Sequence, residues 1–289
     1  METSVISRGS ADYPIEVEKR MHKQPAELYV RGASLSELMQ RPRVAIVGTR
    51  RITPYGKRVT QQFARSLAEQ GVVVVSGLAY GVDACAHQAA LHAGGQVIAV
   101  LPSPVEAPVP TANLGLARQI VNGGGALVST YPVGSENHKG NFVARNELVA
   151  ALSDVILVTE ATTDSGTRHT VKFADGMPGV HVMAVPGNID QPTSAGPNNW
   201  ISNDKAKLAP NPQAVLKELG LKTTMPLPLH LGDTPEEQAL IDLLAAGVSD
   251  GQQLLERSRL SVQIYNQTLT MLEINGVLQP LGGNHWGLT

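Results

Sequence analysis

The chain has 289 residues, of which 42% are hydrophobic, and its formal net charge is −2. This length allows one sizeable domain and a smaller second one, and the balanced charge argues against indiscriminate binding to nucleic acid. No apolar run reaches the roughly 20 residues of a membrane helix, and residues 1 to 20 lack the apolar stretch of a signal peptide. We therefore expect a cytoplasmic protein with no membrane partner. Its single cysteine, Cys85, offers neither a disulfide nor a zinc-type site, so we predict no metal and no cofactor.

Strand and helix signals alternate after a short lead-in of residues 1 to 40, in which residues 28 to 30 resemble an added strand. Strands are predicted at residues 44–48, 72–76, 97–101, 126–129, 155–159 and 180–185. Helices are predicted from Thr53 and at residues 83–93, 113–121 and 141–152. Because the strands are nearly continuous apolar runs, which are typical of burial on both faces, the alternation predicts an α/β fold with a parallel, doubly wound sheet.

The stretch from Arg41 to Arg65 contains seven basic residues and no acidic one. They are Arg41, Arg43, Arg50, Arg51, Lys57, Arg58 and Arg65. Within this stretch Thr53-Pro54 is typical of a helix start, with Thr53 as the N-cap. A helix amino end presents unpaired N–H groups and the positive end of the helix dipole. We therefore predict a phosphate cradle at this point.

Small residues follow several of the predicted strands, at the sheet edge where ligands bind in folds of this class. Their backbone N–H groups can approach an anion closely, and serine or threonine hydroxyls add donors. These turns read Gly48-Thr49-Arg50, Ser76-Gly77-Leu78-Ala79-Tyr80-Gly81, Glu160-Ala161 with Ser165-Gly166, and Pro186-Gly187. No Gly-x-Gly-x-x-Gly follows the first of the strands and no Walker sequence is present, which argues against a dinucleotide or NTPase site.

The motifs along most of the chain resemble those of the DprA/Smf family of DNA-processing proteins. The matching segments are Val47-Gly48-Thr49-Arg50, Thr53-Pro54-Tyr55-Gly56, Ser76-Gly77-Leu78-Ala79-Tyr80-Gly81-Val82-Asp83-Ala84-Cys85-Ala86-His87, Arg145-Asn146, Leu152-Ser153, Glu160-Ala161, Ser165-Gly166, Ala184-Val185-Pro186-Gly187 and Gly196-Pro197-Asn198-Asn199-Trp200-Ile201. The resemblance implies an extended Rossmann-like domain over residues 1–220 that binds single-stranded DNA and forms a homodimer. It also implies protection of incoming DNA in natural transformation and assistance in loading the RecA recombinase.

Residue chemistry and the resemblance together give a predicted set of DNA phosphate-binding residues. Arg50 and Arg51 can each form paired hydrogen bonds to phosphate, which lysine cannot reproduce. With three Phe and two Trp in the chain, we expect contacts to the DNA backbone to dominate over base stacking. The full set is Gly48, Thr49, Arg50, Arg51, Lys57, Ser76, Gly77, Arg145, Asn146, Ser165, Gly166, Thr167 and Arg168.

The chain departs from the family pattern beside this predicted site. Where the family has Phe-Pro-x-Arg-Asn-Arg, this chain has Phe142-Val143-Ala144-Arg145-Asn146-Glu147. We expect Glu147, an anion in place of a cation, to repel a phosphate in the pocket. Arg168 and its basic neighbours could restore the positive field if their segment is helical.

The alternative function is enzymatic. The chain also resembles lysine-decarboxylase-like nucleotide phosphoribohydrolases around the glycine turns, but Thr170 stands where their catalytic glutamate would be. Asp83 and His87 form an i, i+4 pair; we expect Asp83 to cap its helix and His87 to pack, rather than to catalyse. Glu160 is geometrically the better catalytic candidate, yet it lacks a metal or nucleophile partner. We predict that the protein is not an enzyme.

A second domain is predicted after a proline-rich linker at residues 221–232. Residues 233–289 contain a capped helix from Thr234, helices at residues 251–257 and 262–275, and two short strands joined by a turn. This pattern is typical of a winged helix. The segment holds seven acidic and two basic residues, a net charge of 2 − 7 = −5, and its predicted third helix has no lysine or arginine. We therefore expect it to contact protein rather than DNA.

Overall fold

The computed structural model describes residues 3–136, 138–221 and 232–288. The chain separates into two compact units, Met1–Thr224 and Met225–Thr289. The predicted linker at residues 221–232 lies almost entirely outside the described residues. None of the described helices combines the length and the apolar character that crossing a membrane requires.

The first unit is built on a single sheet that has nine strands among the described residues. In chain order they are β1 (Thr3–Ser7), β2 (Glu27–Gly32), β3 (Arg43–Val47), β4 (Val73–Ser76), β5 (Val97–Leu101), β6 (Ala126–Ser129), β7 (Val155–Val158), β8 (His181–Ala184) and β9 (Lys207–Leu208). Strands β3 to β7 are buried along their whole length, as their continuous apolar runs predict.

The spatial order of the strands is β1-β2-β6-β5-β4-β3-β7-β8-β9. The seven strands from β6 to β9 are parallel, so the predicted doubly wound sheet is confirmed. The lead-in adds more than the one expected strand, because β1 and β2 pair with each other and with β6 in antiparallel fashion. The strand order reverses between β3 and β7, and this switch point is where sheets of this class open a crevice.

Nine described helices cover or flank this sheet. They are α1 (Ile15–Arg20), α2 (Leu35–Leu38), α3 (Pro54–Glu69), α4 (Val82–His92), α5 (Leu114–Asn122), α6 (Lys139–Ala151), α7 (Thr167–Ala174), α8 (Ala195–Ser202) and α9 (Pro212–Glu218). The predicted N-cap of α3 is confirmed, since the Thr53 hydroxyl accepts a hydrogen bond of 3.0 Å from the Gly56 amide. Phe63 and Leu67 of α3, four residues apart, are fully buried and belong to the apolar side of this helix.

In its described residues, 232–288, the second unit has three helices and a hairpin around an apolar core of its own. Its elements are α10 (Pro235–Ala245), α11 (Gly251–Ser258), α12 (Val262–Ile274), β10 (Leu278–Gly282) and β11 (His285–Leu288). The two strands pair in antiparallel fashion, and the Thr234 hydroxyl caps α10 through the Glu237 amide at 3.2 Å. Leu240, Leu254 and Leu272, one from each helix, are almost completely buried in this core. The predicted winged-helix arrangement is confirmed.

Candidate functional site

A cleft of about 510 Å³ opens at the switch point of the sheet, beyond the carboxyl ends of β3 and β7. Nine of the thirteen predicted phosphate-binding residues lie in its lining. Those nine are Gly48, Thr49, Arg50, Arg51, Arg145, Asn146, Ser165, Gly166 and Thr167. Two loops, the middle of α6 and the start of α7 thus bring together residues up to about 120 positions apart, as expected for this edge of a doubly wound sheet.

The turn after β3 is fixed by close packing against the turn after β7. The Thr49 amide donates a 2.7 Å hydrogen bond to the Glu160 carbonyl, and the Arg51 amide donates to the Thr49 hydroxyl at 3.1 Å. A Cβ atom on Gly48 would lie 2.5 Å from the Glu160 carbonyl oxygen, so only glycine fits there. This rigid turn presents Arg50 and Arg51 as exposed side chains, and neither guanidinium is paired with a carboxylate of the described residues.

Arg50 also borders a small apolar hollow of about 110 Å³ beside the cleft. Its guanidinium carbon lies 5.3 Å from the centroid of the Phe142 ring, a cation–π contact. The hollow is lined by Tyr80, Val109 and Pro110 as well, and Tyr80 is half exposed. Sequence reasoning missed this hollow, although both aromatic residues lie inside motifs that it identified. Because the chain has few aromatic residues, base stacking was not expected, yet Tyr80 and Phe142 both lie beside Arg50.

Arg145 lies in the floor of the cleft, with 6% of its surface exposed. Its Nη1 donates hydrogen bonds to the backbone carbonyls of Gly77 and Val100, the latter at 2.9 Å. Its Nε donates to the Asn146 side-chain oxygen at 3.1 Å. Burial lowers the pKa of Arg145, and the nearby Asp83 opposes that shift. The side chain is therefore an oriented cation that strand β5 and the loop after β4 position jointly.

Asp83 organises the loop after β4. Its Oδ2 accepts hydrogen bonds from the amides of Gly77 at 3.1 Å and Ala79 at 3.4 Å. Burial raises the pKa of Asp83, while the Arg145 charge and these two amides lower it. The prediction that Asp83 caps its helix is wrong: Gly81 is the N-cap of α4, and the carboxylate reaches back to the preceding loop instead.

His87 packs in the interior, as expected. It is fully buried, and neither ring nitrogen has a hydrogen bond within normal distance. Burial, reinforced by the Arg145 charge, lowers the pKa of His87 to about 3, against a smaller opposing effect of the Ser76 backbone. The ring is therefore neutral at physiological pH and contributes no charge to the cleft.

The amino-terminal end of α7 forms the opposite wall of the cleft. Ser165, Gly166 and Thr167 line it, and the Ser165 hydroxyl oxygen is buried without a hydrogen-bond partner. No side chain caps this helix. A buried hydroxyl without a partner is unusual, and here it belongs to a residue of the cleft lining.

Four predicted phosphate-binding residues lie outside the cleft lining. Ser76 is fully buried and donates to the Ile46 carbonyl at 2.7 Å, so its hydroxyl faces the sheet interior. The Gly77 amide is committed to Asp83, although this residue borders the apolar hollow. Lys57 is exposed on α3. Arg168 is exposed on α7, 4.0 Å from Asp164.

The predicted phosphate cradle at the amino end of α3 already contains an anion from the chain itself. The Glu160 carboxylate accepts hydrogen bonds from the Thr53 amide at 3.0 Å, the Thr53 hydroxyl at 2.6 Å and the Thr193 hydroxyl at 2.9 Å. Glu160 is 1% exposed and is absent from the cleft lining. This residue therefore stabilises the helix start, and the cradle prediction for α3 is wrong.

Two charged residues take other positions than the sequence suggested. Glu147 accepts a hydrogen bond from the His22 amide at 3.3 Å and does not line the cleft, so it is not the pocket anion that the sequence suggested. Glu147 is two positions after Arg145, which on an α-helix is a rotation of about 200°. The Glu147 side chain therefore faces away from Arg145. Arg43 pairs with Asp154 at 2.6 Å and Glu16 at 3.1 Å, at the other end of β3 from the cleft.

The fold and the cleft together define a doubly wound α/β protein with an arginine-lined cleft at its switch point and an appended winged helix. Two family models match the chain: DNA recombination-mediator protein A over residues 4–220, and the DprA winged helix domain over residues 223–284. The chain belongs to the DNA recombination-mediator protein A family, which includes the DprA and Smf proteins.

Individual relatives support this membership. Protein Smf of Escherichia coli is 36% identical over 74% of this chain, and DNA processing protein DprA of Bacillus subtilis is 32% identical over 75%. The matched regions span 57% and 71% of those two proteins, so the chain covers little more than half of the E. coli relative.

Two solved structures resemble this one. DprA of Streptococcus pneumoniae has a TM-score of 0.69 at 33% identity, covering 75% of each chain. DNA processing protein A of Helicobacter pylori, for which a single-stranded DNA binding mode is described, has a TM-score of 0.66 at 32% identity. That match covers 76% of this chain and 96% of the H. pylori chain.

Proposed function

We propose that this protein binds single-stranded DNA in the switch-point cleft, with Arg50 as the central contact. The position of Arg50 carries this proposal. Its exposed guanidinium has no carboxylate partner among the described residues, lines the cationic cleft and contacts Phe142 in the adjoining hollow. One side chain thus borders a site suited to a phosphate and a site suited to a base.

The phosphate contacts follow from the cations and donors of the cleft. Arg50 and Arg51 can each donate paired hydrogen bonds to phosphate oxygens, and Arg145 contributes a fixed charge from the floor. The unpartnered Ser165 hydroxyl on the opposite wall can donate to the same group. Such contacts do not depend on base identity, so we expect binding with little sequence preference.

The apolar hollow favours a single strand over a duplex. Its faces are supplied by Phe142, Tyr80 and Pro110, and a base that enters it could stack on the Phe142 ring. A base inside a duplex is already stacked and paired, and removing it costs a few kcal/mol. An unpaired strand avoids this cost. The small number of aromatic residues led us to expect contacts to the DNA backbone alone to dominate. The hollow changes this expectation, because it allows one base per cleft to stack on an aromatic ring.

The related proteins support the same function. The H. pylori relative is described with single-stranded DNA, and the B. subtilis and S. pneumoniae relatives are DNA processing proteins. By this relationship we further propose that the chain acts in the cytoplasm, protects incoming DNA during natural transformation, forms a homodimer through its sheet domain and assists RecA loading.

A hydrolytic function is less well supported by the geometry. Thr170, at the position of the phosphoribohydrolase glutamate, lines the cleft as a buried hydroxyl. Asp83 is the one carboxylate among the described lining residues, and two loop amides already engage it. The Glu160 carboxylate accepts its hydrogen bonds at the start of α3, from Thr53. We therefore propose a binding protein rather than an enzyme; release of free base from nucleoside monophosphates would contradict this.

The salt dependence of binding tests the proposal. For single strands, log K should fall with log salt by about 0.7 for each phosphate neutralised. Arg50→Ala should reduce both affinity and this slope, measured by fluorescence anisotropy with an oligothymidylate. Arg41→Ala is the matched control, because Arg41 is an exposed arginine that precedes β3 whereas Arg50 follows it. Equal binding by the two variants would contradict the proposed site.

A further inference from the structure

A groove of about 400 Å³ runs along one side of α5, over the sheet face of β2 and β6. From the sheet, Arg31 and Leu127 line it; they are cross-strand partners, so their side chains project from the same face. From the helix, residues spaced by four and three positions line it, and such residues share one side of a helix. We define the α5 groove by Arg31, Pro108, Leu114, Arg118, Val121 and Leu127.

The α5 groove contains two cations that the described part of the chain leaves without an ion pair. Arg118 is exposed and Arg31 is partly exposed, and neither guanidinium pairs with a carboxylate of the described residues. Glu106 also lines this space, but its carboxylate accepts a hydrogen bond from the Thr3 hydroxyl. The charged lining residues sum to 2 − 1 = +1, and apolar side chains surround them. An anion that also carries apolar surface suits this lining.

The α5 groove adjoins the apolar hollow that Phe142 borders. Pro108 lines the groove and the next residue, Val109, lines the hollow, and consecutive Cα atoms are about 3.8 Å apart. Further along this connection, the Asn113 side-chain amide donates a 2.8 Å hydrogen bond to the carbonyl of Leu78, in the loop after β4. That loop supplies another wall of the hollow. The connection is therefore a fixed ridge with the hollow on one side and the groove on the other.

We propose that a single strand whose base enters the hollow continues over this ridge into the α5 groove, where Arg31 and Arg118 bind its next phosphates. This inference rests on the proposed function and extends the binding path beyond the switch-point cleft. Guanidinium groups suit phosphate oxygens because they can donate paired hydrogen bonds. The apolar side chains of Leu114 and Val121 offer surface to the bases without reading their edges, so this segment adds affinity without sequence preference.

Continuity with the hollow favours DNA over an acidic peptide. Either ligand could satisfy Arg31 and Arg118. A strand already bound in the hollow, however, reaches the groove as an intramolecular contact at a high effective concentration. Cation–phosphate contacts at a partly exposed site are individually weak, and they add to affinity most efficiently when the ligand is already tethered nearby. A separate peptide lacks this advantage.

The test compares oligothymidylates of about 4 and about 16 nucleotides, the ends of the usual range of single-strand site sizes. Fluorescence anisotropy on the full chain measures their affinities at several salt concentrations. The double variant Arg31→Ala/Arg118→Ala should bind the short strand as the wild type does. It should bind the long strand about tenfold more weakly, and its long-strand salt slope should be lower by about 1.4, or about 0.7 for each lost phosphate contact.

Two further variants control for net charge and for folding. Arg41→Ala/Arg257→Ala removes the same charge from exposed positions before β3 and in the last turn of α11, and it should bind both strands as the wild type does. Arg118→Glu changes an exposed helix residue and should keep the wild-type circular dichroism. It should weaken long-strand binding while it leaves the short strand unaffected.

The outcomes separate failure of this path from failure of the cleft. Equal long-strand affinity in the two double variants would overturn the path, as would an equal loss for both strand lengths in Arg31→Ala/Arg118→Ala. Binding of oligoglutamate that this double variant abolishes, with unchanged long-strand affinity, would overturn it in favour of an acidic protein. Short-strand affinity that Arg50→Ala leaves unchanged would instead contradict the cleft itself.

Discussion

The Glu160 carboxylate accepts two hydrogen bonds from Thr53, one from its amide at 3.0 Å and one from its hydroxyl at 2.6 Å. This contact joins the carboxyl end of β7 to the amino end of α3, 107 residues earlier. It places a negative charge where the α3 dipole and the free amides favour one. The amino end of α3 is therefore already occupied by an anion of the chain itself.

Replacing Glu160 with Gln should destabilise the sheet unit. The glutamine side chain has one accepting oxygen where the carboxylate has two, so its NH2 group would face a donor. At least one buried donor would then lack a partner, and the free energy of unfolding should fall by about 1–3 kcal/mol. Denaturant titration measures this change. Glu147→Gln is the matched control, because that carboxylate makes one longer contact at 3.3 Å, and its effect should stay within about 0.5 kcal/mol. Equal losses in the two variants would argue against the Glu160–Thr53 contact.

The buried charges of Arg145 and Asp83 should depend on each other. Arg145→Met removes the cation and leaves the buried Asp83 carboxylate with only its hydrogen bonds to the loop amides, so unfolding should become easier by about 1–3 kcal/mol. Adding Asp83→Asn should recover part of that loss, because the neutral amide needs no counter-charge. The double-mutant cycle by denaturant titration measures the coupling. Strict additivity of the two substitutions would show that the residues do not interact.

The pH dependence of stability should report the buried ring of His87. Its folded-state pKa is about 3 against an ordinary value of 6.5, so below pH 6.5 the unfolded chain binds a proton that the folded chain excludes. The contribution of the neutral ring to the free energy of unfolding is fully present above pH 6.5. It is lost as the pH falls toward 3, at about 1.4 kcal/mol per pH unit. His87→Leu should remove that part of the slope. An unchanged slope between these limits would mean that the ring is protonated in the folded protein.

Phe142→Ala should separate base stacking from phosphate binding. Loss of the ring should weaken single-strand binding by about 1–3 kcal/mol, while the salt slope stays at the wild-type value because no cation is removed. Anisotropy titrations at several salt concentrations measure both quantities. Tyr55→Ala serves as control, since Tyr55 is also partly exposed but its hydroxyl bonds to the Pro186 carbonyl outside the hollow. A flattened slope in Phe142→Ala would indicate that the ring acts mainly by positioning Arg50.

The sequence predicted most of the sheet because its signals are local. Continuous apolar runs at β3, β4 and β5 and a Thr-Pro helix start at α3 each depend on neighbouring residues, and all four are confirmed. Strand β1 was missed because three of its residues are exposed and its apolar content is low. The antiparallel addition at that edge depends on pairing across the fold, which no local pattern encodes.

The position of the cleft could be predicted from the sequence, but the contacts of the carboxylates around it could not. The strand-end turns identified the cleft, because parallel strands place their carboxyl ends on one edge. The roles of Asp83, Glu147 and Glu160 could not be read from the sequence, since each depends on which face of an element the carboxylate occupies and which distant amide it meets. A glutamate that follows a strand, or an aspartate at the start of a helix, has the same neighbouring sequence whether it caps a helix, takes part in catalysis or stabilises a loop.

A crystal structure of the chain with a short oligothymidylate is the most direct test of the proposed cleft. The account predicts a phosphate oxygen within about 3 Å of the Arg50 or Arg145 guanidinium, and a base in contact with the Phe142 ring. A strand bound instead to the winged-helix unit, or to the sheet edge that carries Arg43, with the cleft making no contact to DNA, would contradict it.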